Sequence, residues 1–371
     1  MNTNSNERRI AWFISPHGFG HASRSSAIMS ALRERDASIG FELFTKIPQW
    51  FFDDSLDFAY NYHTLLTDIG LVQTSPLKAD LDATVRALNE FLPFDPVLLA
   101  SLARRVKELN CELIVCDIAP LGIAVAEAAN LPSVLIENFT WDWIYESYIA
   151  EDSRIKFFAA EMRRWFDAAR FHIQMQPVCD SRNVDLTTHP VSRKIKSQPQ
   201  DVRAALSVPM DAPLVLITMG GTPAEHNFLH QLEQQSEIYF VIPGGKLVRE
   251  IRTMEMRGNL RLLPQHSAFF HPDLVNACDA VVGKIGYSTI AEIYQAGIPY
   301  GYVRRADFRE SEMLPVFIEQ HMQGMDIPET EFESGAWVAR LPELLALPRI
   351  ERNEPNGADE VANFIYGKLR G

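Results

Sequence analysis

Short apolar runs bounded by turn residues alternate along this chain with segments of helical period. Residues 10–15 read as a buried strand, and residues 22–35 as a helix carrying Ala27, Ile28, Ala31 and Leu32 on one face. Residues 41–45 read as a second strand, and residues 113–116, 133–136 and 171–175 continue the series. Runs of four to six apolar residues, apolar on both faces, suit strands of a parallel sheet covered by helices on each side. The pattern therefore predicts an α/β fold of the doubly wound kind.

Between residues 180 and 211 the pattern lapses into polar residues with Pro190, Pro199 and Pro209, and an interdomain linker is expected there. A second series restarts at residues 214–218, 239–242, 280–282 and 300–303. An Asn356-Gly357 turn then introduces a last helix over 358–369. The chain thus divides into an N-terminal domain (1–190), a C-terminal domain (191–355) and a final helix (356–371) expected to pack back on the first domain. Periodicity is weakest over residues 50–78. No low-complexity tract or short repeat interrupts the series.

Composition narrows the function. The chain has 371 residues, 47% of them hydrophobic, with 35 basic and 48 acidic side chains and a net charge of -13. Such a field gives no support to nucleic acid as a partner. Cys111, Cys116, Cys179 and Cys278 show neither zinc-site spacing nor the density of a disulfide scaffold, which fits a reducing cytosol and a cytoplasmic location. The polar N-terminus resembles no secretion leader, and no apolar run nears the roughly 20 residues that span a bilayer, so membrane contact is expected to be peripheral at most.

Two glycine turns and one longer segment carry the chemistry. The first strand runs into Ser15-Pro16-His17-Gly18-Phe19-Gly20-His21-Ala22-Ser23-Arg24. Gly18 and Gly20 at a strand-to-helix turn permit close approach of a ligand, and the helix N-terminus offers unpaired N–H groups to an anion. The turn lacks the third glycine of the dinucleotide fingerprint. His21 is the candidate general base, because a neutral imidazole can take a hydroxyl proton near pH 7. Asp117, closing the strand 113–116, is the candidate to orient it, and a plain helix cap explains Asp117 equally well. Thr218-Met219-Gly220-Gly221-Thr222 again ends a strand before a helix, where backbone N–H groups and a hydroxyl suit a phosphate.

The most specific segment is Gly283-Lys284-Ile285-Gly286-Tyr287-Ser288-Thr289-Ile290-Ala291-Glu292, followed by Gly297-Ile298-Pro299. It combines a glycine turn, hydroxyls at a helix start for a diphosphate, and a carboxylate one turn on that could take two ribose hydroxyls. Gly244-Gly245-Lys246 is followed by Leu247 and lacks the upstream glycine, so it is no Walker A loop. Asp80-Leu81-Asp82 has the form of a metal-binding D-x-D, yet capping carboxylates before a helix explain it better. Trp141 and Asp142, within Phe139-Thr140-Trp141-Asp142-Trp143-Ile144-Tyr145, follow a strand end and are candidates to contact an acceptor, with core packing as the alternative.

Taken together, these turns resemble a GT-B glycosyltransferase, the second half being similar to the C-terminal domain of glycosyltransferase family 28. The runs HGFGHASR (17–24), DIGLVQ (68–73), NFTWDWIY (138–145), GKIGYST (283–289), VRRADF (303–308) and NGADEVA (356–362) resemble the glycosyltransferase-like N-terminal region of L-arabinokinases and their free-standing bacterial relatives. The kinase part of those proteins is not represented, so sugar kinase activity is not expected. The resemblance implies two Rossmann-like domains facing a cleft, the second holding a nucleoside-diphosphate sugar as substrate, with no metal and no further cofactor. It places Glu292 at the ribose, Gly220, Gly221, Thr222, Ser288 and Thr289 near the diphosphate, and His21 near the reacting carbon. Gly18, Gly20, Lys284, Gly286, Arg309 and Glu310 join the expected donor set, and the first domain (1–190), with acceptor loops over residues 50–78, is expected to take the acceptor. The turn departs from the peptidoglycan enzyme's G-G-x-G-G-H. Asp307-Phe308-Arg309-Glu310 also stands where many such transferases set an Asp/His-Gln pair against the donor sugar. Arg304, Arg305 and Arg309 fit either a phosphate contact or a solvated basic patch.

The expected function is an inverting transfer from a UDP-sugar to a hydroxyl on a small molecule, glycan or lipid-linked acceptor. A nucleotide-sugar hydrolase and a non-catalytic sugar-nucleotide-binding protein are the alternatives. The acidity is segregated, residues 36–152 holding 6 basic and 19 acidic side chains, which points to a neutral or cationic acceptor.

Overall fold

In a computed structural model, residues 8–75, 78–219, 227–244, 253–305 and 308–370 are described. The chain forms two compact units, one of residues 1–192 with 355–371 and one of residues 193–354.

The first unit contains strands β1 (Arg9–Ile14), β2 (Gly40–Thr45), β3 (Asn61–Thr64), β4 (Gln73–Ser75), β5 (Lys78–Ala79), β6 (Cys111–Asp117), β7 (Ser133–Glu137), β8 (Phe171–Met175) and β9 (Leu186–Thr188). Seven of these form one parallel sheet in the order β3-β2-β1-β6-β7-β8-β9, while β4 and β5 make a separate hairpin. Strands β2 and β7 are buried along their whole length, and β1 and β6 nearly so, which is why they read as continuous apolar runs. The one carboxylate in β2, Glu42, is fully buried and satisfied. It accepts hydrogen bonds from Arg9 Nη1 (2.6 Å), Asn61 Nδ2 (2.7 Å) and His63 Nε2 (2.7 Å).

The second unit contains β10 (Leu214–Thr218), β11 (Tyr239–Pro243), β12 (Glu255–Arg257), β13 (Leu260–Leu263), β14 (Ala280–Lys284), β15 (Tyr300–Val303) and β16 (Gly324–Asp326). Their order is β12-β13-β11-β10-β14-β15-β16, parallel except for the β12–β13 pair. In both sheets the strand order reverses beside the first strand of the unit. This creates a crevice at the carboxyl ends of β1 and β6, and another at those of β10 and β14.

Two sequence boundaries shift for identifiable reasons. The first helix begins at Phe19, three residues earlier than the apolar period places it, because His21, Arg24 and Ser25 are buried by polar contacts and not by an apolar stripe. The stretch read as linker contains edge strand β9 and a helix, Pro199–Ala205, with proline at its first turn. A three-residue strand is too short to show periodicity.

The C-terminal helix, Gly357–Arg370, lies in the first unit and packs on the helix Phe19–Arg35. Asn356 Nδ2 donates to Ser192 O (2.7 Å), and the His189 amide donates to Glu360 Oε2 (2.8 Å), fixing the return of the chain. No helix among the described residues is long and apolar enough to cross a membrane.

Asp80 is the N-cap of the helix Leu81–Phe91, its carboxylate accepting from the Ala83 amide at 2.8 Å, and Asp82 pairs with Arg154. Replacement Asp80→Ala is expected to lower stability by about 1 kcal/mol through loss of the cap, read as a shift of the urea midpoint with unchanged slope.

Candidate functional site

The crevice of the first unit is built from the end of β1, the glycine turn, the start of the helix Phe19–Arg35 and the end of β6. Gly18 has φ +87°, a conformation that a side chain would strain, and it is the residue at which the helix starts. Gly20 falls in the first helical turn. One turn places His21 and Arg24 on the same helix face, three residues apart, and both reach Asp117.

The geometry is specific. Asp117 Oδ1 lies 2.9 Å from His21 Nδ1, and Asp117 Oδ2 accepts from Arg24 Nε at 2.8 Å and from the Ser25 hydroxyl at 2.9 Å. The Ser25 hydroxyl in turn accepts from Trp12 Nε1 (3.1 Å), and Arg24 Nη1 donates to Asn138 Oδ1 (2.6 Å). Asp117 and Arg24 are essentially inaccessible, and His21 is 7% exposed. Asp117 is thus no helix cap: the helix Pro120–Ala129 starts from Ala119.

Burial alone pushes the Asp117 carboxyl up, but the Arg24 guanidinium, and then His21, outweigh it and hold the group below the usual carboxylate range. An ionised Asp117 this close to Nδ1 requires a proton between them, so His21 donates from Nδ1 and keeps Nε2 as the acceptor. Burial lowers the His21 imidazole below its ordinary value; Asp117 opposes this and Arg24 adds to it. The side chain is therefore neutral, oriented and able to take a proton at pH 7.

Trp141 and Asp142 sit behind this crevice, fully buried. The Trp141 ring meets His17 edge-on at 4.9 Å, and its N–H donates to Asp68 Oδ2 at 3.1 Å. Asp142 accepts from Arg182 and Arg163, each at 3.0 Å. Both candidates thus serve the wall of the site with side chains that expose no surface.

In the second unit, Gly220, Gly221, Thr222 and Asp307 lie outside the described residues, as do Gly245 and Lys246. At the end of β14, a Cβ on Gly283 would meet Thr218 O at 1.8 Å, so only glycine lets β10 and β14 approach there. Lys284 follows, and burial, then Arg305, pull its ammonium down to about 8 against the opposing Glu310. Arg305 is buried with its guanidinium 4.1 Å from the Phe308 ring. Arg304, by contrast, is exposed and pairs with Asp326 at 2.7 Å. Gly286 precedes the helix Tyr287–Ala296, with Ser288 half-buried and Thr289 buried in its first turn. Arg309 is half-buried and Glu310 buried.

Glu292 lies in an ion-pair cluster. Its Oε1 accepts from Arg193 Nε (3.1 Å) and Nη2 (2.9 Å), and its Oε2 lies 2.7 Å from His271 Nδ1. It is 4% exposed, and although burial raises its pKa, Arg193 and His271 bring it down to about 2. Arg193 and Lys196 both lie over the Phe270 ring, at 4.7 and 4.5 Å.

Sequence reasoning gave no role to Arg24, Asn138, Arg193 or His271. For Arg24 a signal existed, since a basic residue three positions after a candidate histidine on a helix shares its face. Arg193 and His271 are 78 positions apart in the chain and meet only in space. Among the described residues, no group of three or more His, Cys, Asp or Glu side chains is placed to hold a metal ion.

A family model described as glycosyl transferase family 1 matches residues 8–342. An L-arabinokinase of Arabidopsis thaliana is 24% identical over 365 residues, covering 96% of this chain. The chain spans about a third of that protein's length, 34%. An uncharacterised glycosyltransferase of Methanopyrus kandleri is 20% identical over 284 residues, covering 72% of this chain and 78% of that protein. Among solved structures, the calicheamicin glycosyltransferase CalG4 superposes with a TM-score of 0.65 at 14% identity, covering 98% of each chain. UGT89C1 of Arabidopsis thaliana complexed with UDP-L-rhamnose does so with a TM-score of 0.65 at 13% identity, covering 98% of this chain and 100% of that one. The likeness fixes the architecture as GT-B, two parallel-sheet α/β domains.

Because Arg24 compensates a buried carboxylate, Arg24→Leu is expected to cost about 3–5 kcal/mol at pH 7. The depressed pKa of Asp117 contributes stability above its unfolded value, and that contribution is lost as pH falls through the folded one. The variant's deficit, measured by denaturant unfolding, should therefore shrink toward pH 4.

Proposed function

The chain belongs to glycosyl transferase family 1, an enzyme family, and on that premise we propose that it moves a sugar from a UDP-sugar to a hydroxyl acceptor with inversion. The observation that carries this reading is the buried His21–Asp117–Arg24 arrangement at the carboxyl ends of β1 and β6. His21 Nε2 takes the proton of the acceptor hydroxyl, and the freed oxygen bonds to the anomeric carbon. The bond from that carbon to the diphosphate breaks, and UDP leaves with the electron pair. Asp117 stabilises the imidazolium that forms, and its ion pair with Arg24 keeps it ionised to do so.

The second unit supplies charge for the donor. Lys284 and Arg305 outnumber Glu310 at the ends of β14 and β15, and with the Ser288 and Thr289 hydroxyls they suit a diphosphate. This set of cations supports a reaction that proceeds without a metal. Uridine as the base is supported by the UDP and UDP-L-rhamnose bound to structural relatives. Glu292 meets a ribose only as one member of its cluster with Arg193 and His271. The acidity of residues 36–152 favours a neutral or cationic acceptor.

A second reading, a non-catalytic sugar-nucleotide-binding protein, has one observation in its favour. The region matched in the L-arabinokinase is about a third of a protein named for kinase activity.

A thermal-shift screen of nucleoside diphosphates and their sugars should single out a UDP-sugar, and turnover should survive a chelator. His21→Ala is expected to lower kcat by about 10²- to 10⁴-fold. The activity of the unmodified enzyme should rise with pH along a limb centred below the ordinary histidine value, since the lowered pKa leaves the base neutral at lower pH. Binding without turnover, or turnover indifferent to His21→Ala, favours the second reading. Rapid release of free sugar without an acceptor marks a hydrolase.

A further inference from the structure

A second carboxyl lies beneath the first glycine turn and has no part in the mechanism above. Asp68 is fully buried on the segment that follows β3. Trp141 Nε1 donates to its Oδ2 at 3.1 Å, and among the described residues its Oδ1 has no hydrogen-bond partner. The segment is tied to its surroundings on both sides of this group. Thr67 Oγ1 donates to Ile14 O at 2.7 Å, and the Tyr145 hydroxyl donates to Gly70 O at 2.8 Å. Gly70 has φ +62°, and a Cβ there would stand 2.7 Å from His17 Nδ1 and 2.9 Å from Trp141 Cζ2. The glycine turn therefore rests on this segment and on Trp141, with Asp68 beside both.

The charges facing Asp68 can be taken element by element. From the end of β1 comes the Ser15 hydroxyl, and from β6 the ionised Asp117. The helix Phe19–Arg35 contributes His21 and Arg24, both committed to Asp117, and Arg24 also to Asn138. The helix Trp141–Glu146 contributes the Trp141 N–H and the Tyr145 phenol. His17 packs on Gly70. One carboxylate in this region is balanced by a guanidinium, and Asp117 has it.

We infer that Asp68 is a positioning residue for His21, a carboxyl that carries its proton on Oδ1 while the site is assembled and whose ionisation releases the glycine turn. Protonated, it is a neutral group that fits among Trp141, Ser15 and Gly70. Ionised, it is a buried charge met by two neutral donors, the Ser15 hydroxyl and the Trp141 N–H, with a like charge nearby, and it regains solvation only by moving its segment out from under His17. His17 and Gly18 lead directly into the turn that carries His21, so that movement misplaces the base. Burial, opposed by Ser15 and Trp141 and reinforced by Asp117, pushes the Asp68 carboxyl up to about 7, which puts this transition at neutral pH. The effect on catalysis rests on the reading of His21 as the base.

The pH profile of kcat then has two limbs with separate owners, a rising one from His21 and a falling one centred near pH 7 from Asp68. Asp68→Asn, an uncharged isostere, is expected to abolish the falling limb and leave the rising one in place; a falling limb that persists in the variant overturns the inference. The thermal midpoint of the unmodified protein, taken relative to that of Asp68→Asn, should fall as pH rises from about 4 to about 7 and level off above, and parallel curves would also overturn it. Carboxyl ¹³C resonances of aspartate-labelled protein decide the matter even if the variant fails to fold or no donor turns over. Titration of Asp68 near 7, with a concurrent shift of the His21 ring signals, supports the inference. Ionisation below pH 5, or titration that leaves His21 unmoved, sinks it. A missing rising limb condemns the base reading instead.

Discussion

The first unit is organised around the contact between Arg24 and Asp117. Burying a carboxylate at the end of a central strand is costly unless a cation and further donors meet it, and here one guanidinium, one imidazole and one hydroxyl do so together. The contact joins the helix after β1 to β6, and Arg24 extends it to Asn138 at the end of β7. The ends of two strands, β6 and β7, are thereby held to the helix that follows β1 by one charged side chain. The same ion pair keeps Asp117 ionised, which sets the tautomer of His21. Stability and the orientation of the imidazole thus rest on one interaction, because both require a negative charge that water cannot screen.

Around this pair the wall of the site is made of side chains with no exposed surface. Trp141 supports His17 and donates to Asp68, while Asp142 is held by two arginines. Buried polar groups of this kind hold geometry where apolar packing alone would allow neighbouring rotamers. The second unit manages charge in the opposite sense. Cations gather at the ends of β14 and β15, and the carboxylate of Glu292 is neutralised by Arg193 and His271 nearby. The first unit thus buries a negative centre held by one guanidinium, and the second gathers cations at its strand ends.

Family membership and architecture bound the chemistry without fixing it. Structural relatives at 13–14% identity share the fold, and folds of this kind serve many substrates. At the carboxyl end of β15 stand Arg304 and Arg305, neighbours in sequence with opposite surroundings. Arg304 faces solvent and Asp326, while Arg305 lies against Phe308 beside Lys284.

The sequence by itself determined the two α/β series, nine of the fourteen strands described in the two sheets and the first glycine turn, because burial on both faces imposes runs of apolar residues that periodicity reveals. It also placed His21 and Asp117 at strand ends that adjoin in a doubly wound sheet, and it marked Asp80 as a cap, since each of these follows from local spacing. Only the tertiary structure decided that Asp117 orients His21 and caps no helix, that Arg24 completes the pair, and that Glu292 is already engaged. It likewise turned Trp141 and Asp142 inward and set Asp68 beneath the glycine turn with no compensating cation among the described residues. The physical reason is the same in every case. A side chain's charge state and exposure depend on partners tens of residues away in the chain, and spacing along a sequence carries no record of which distant groups burial will bring together.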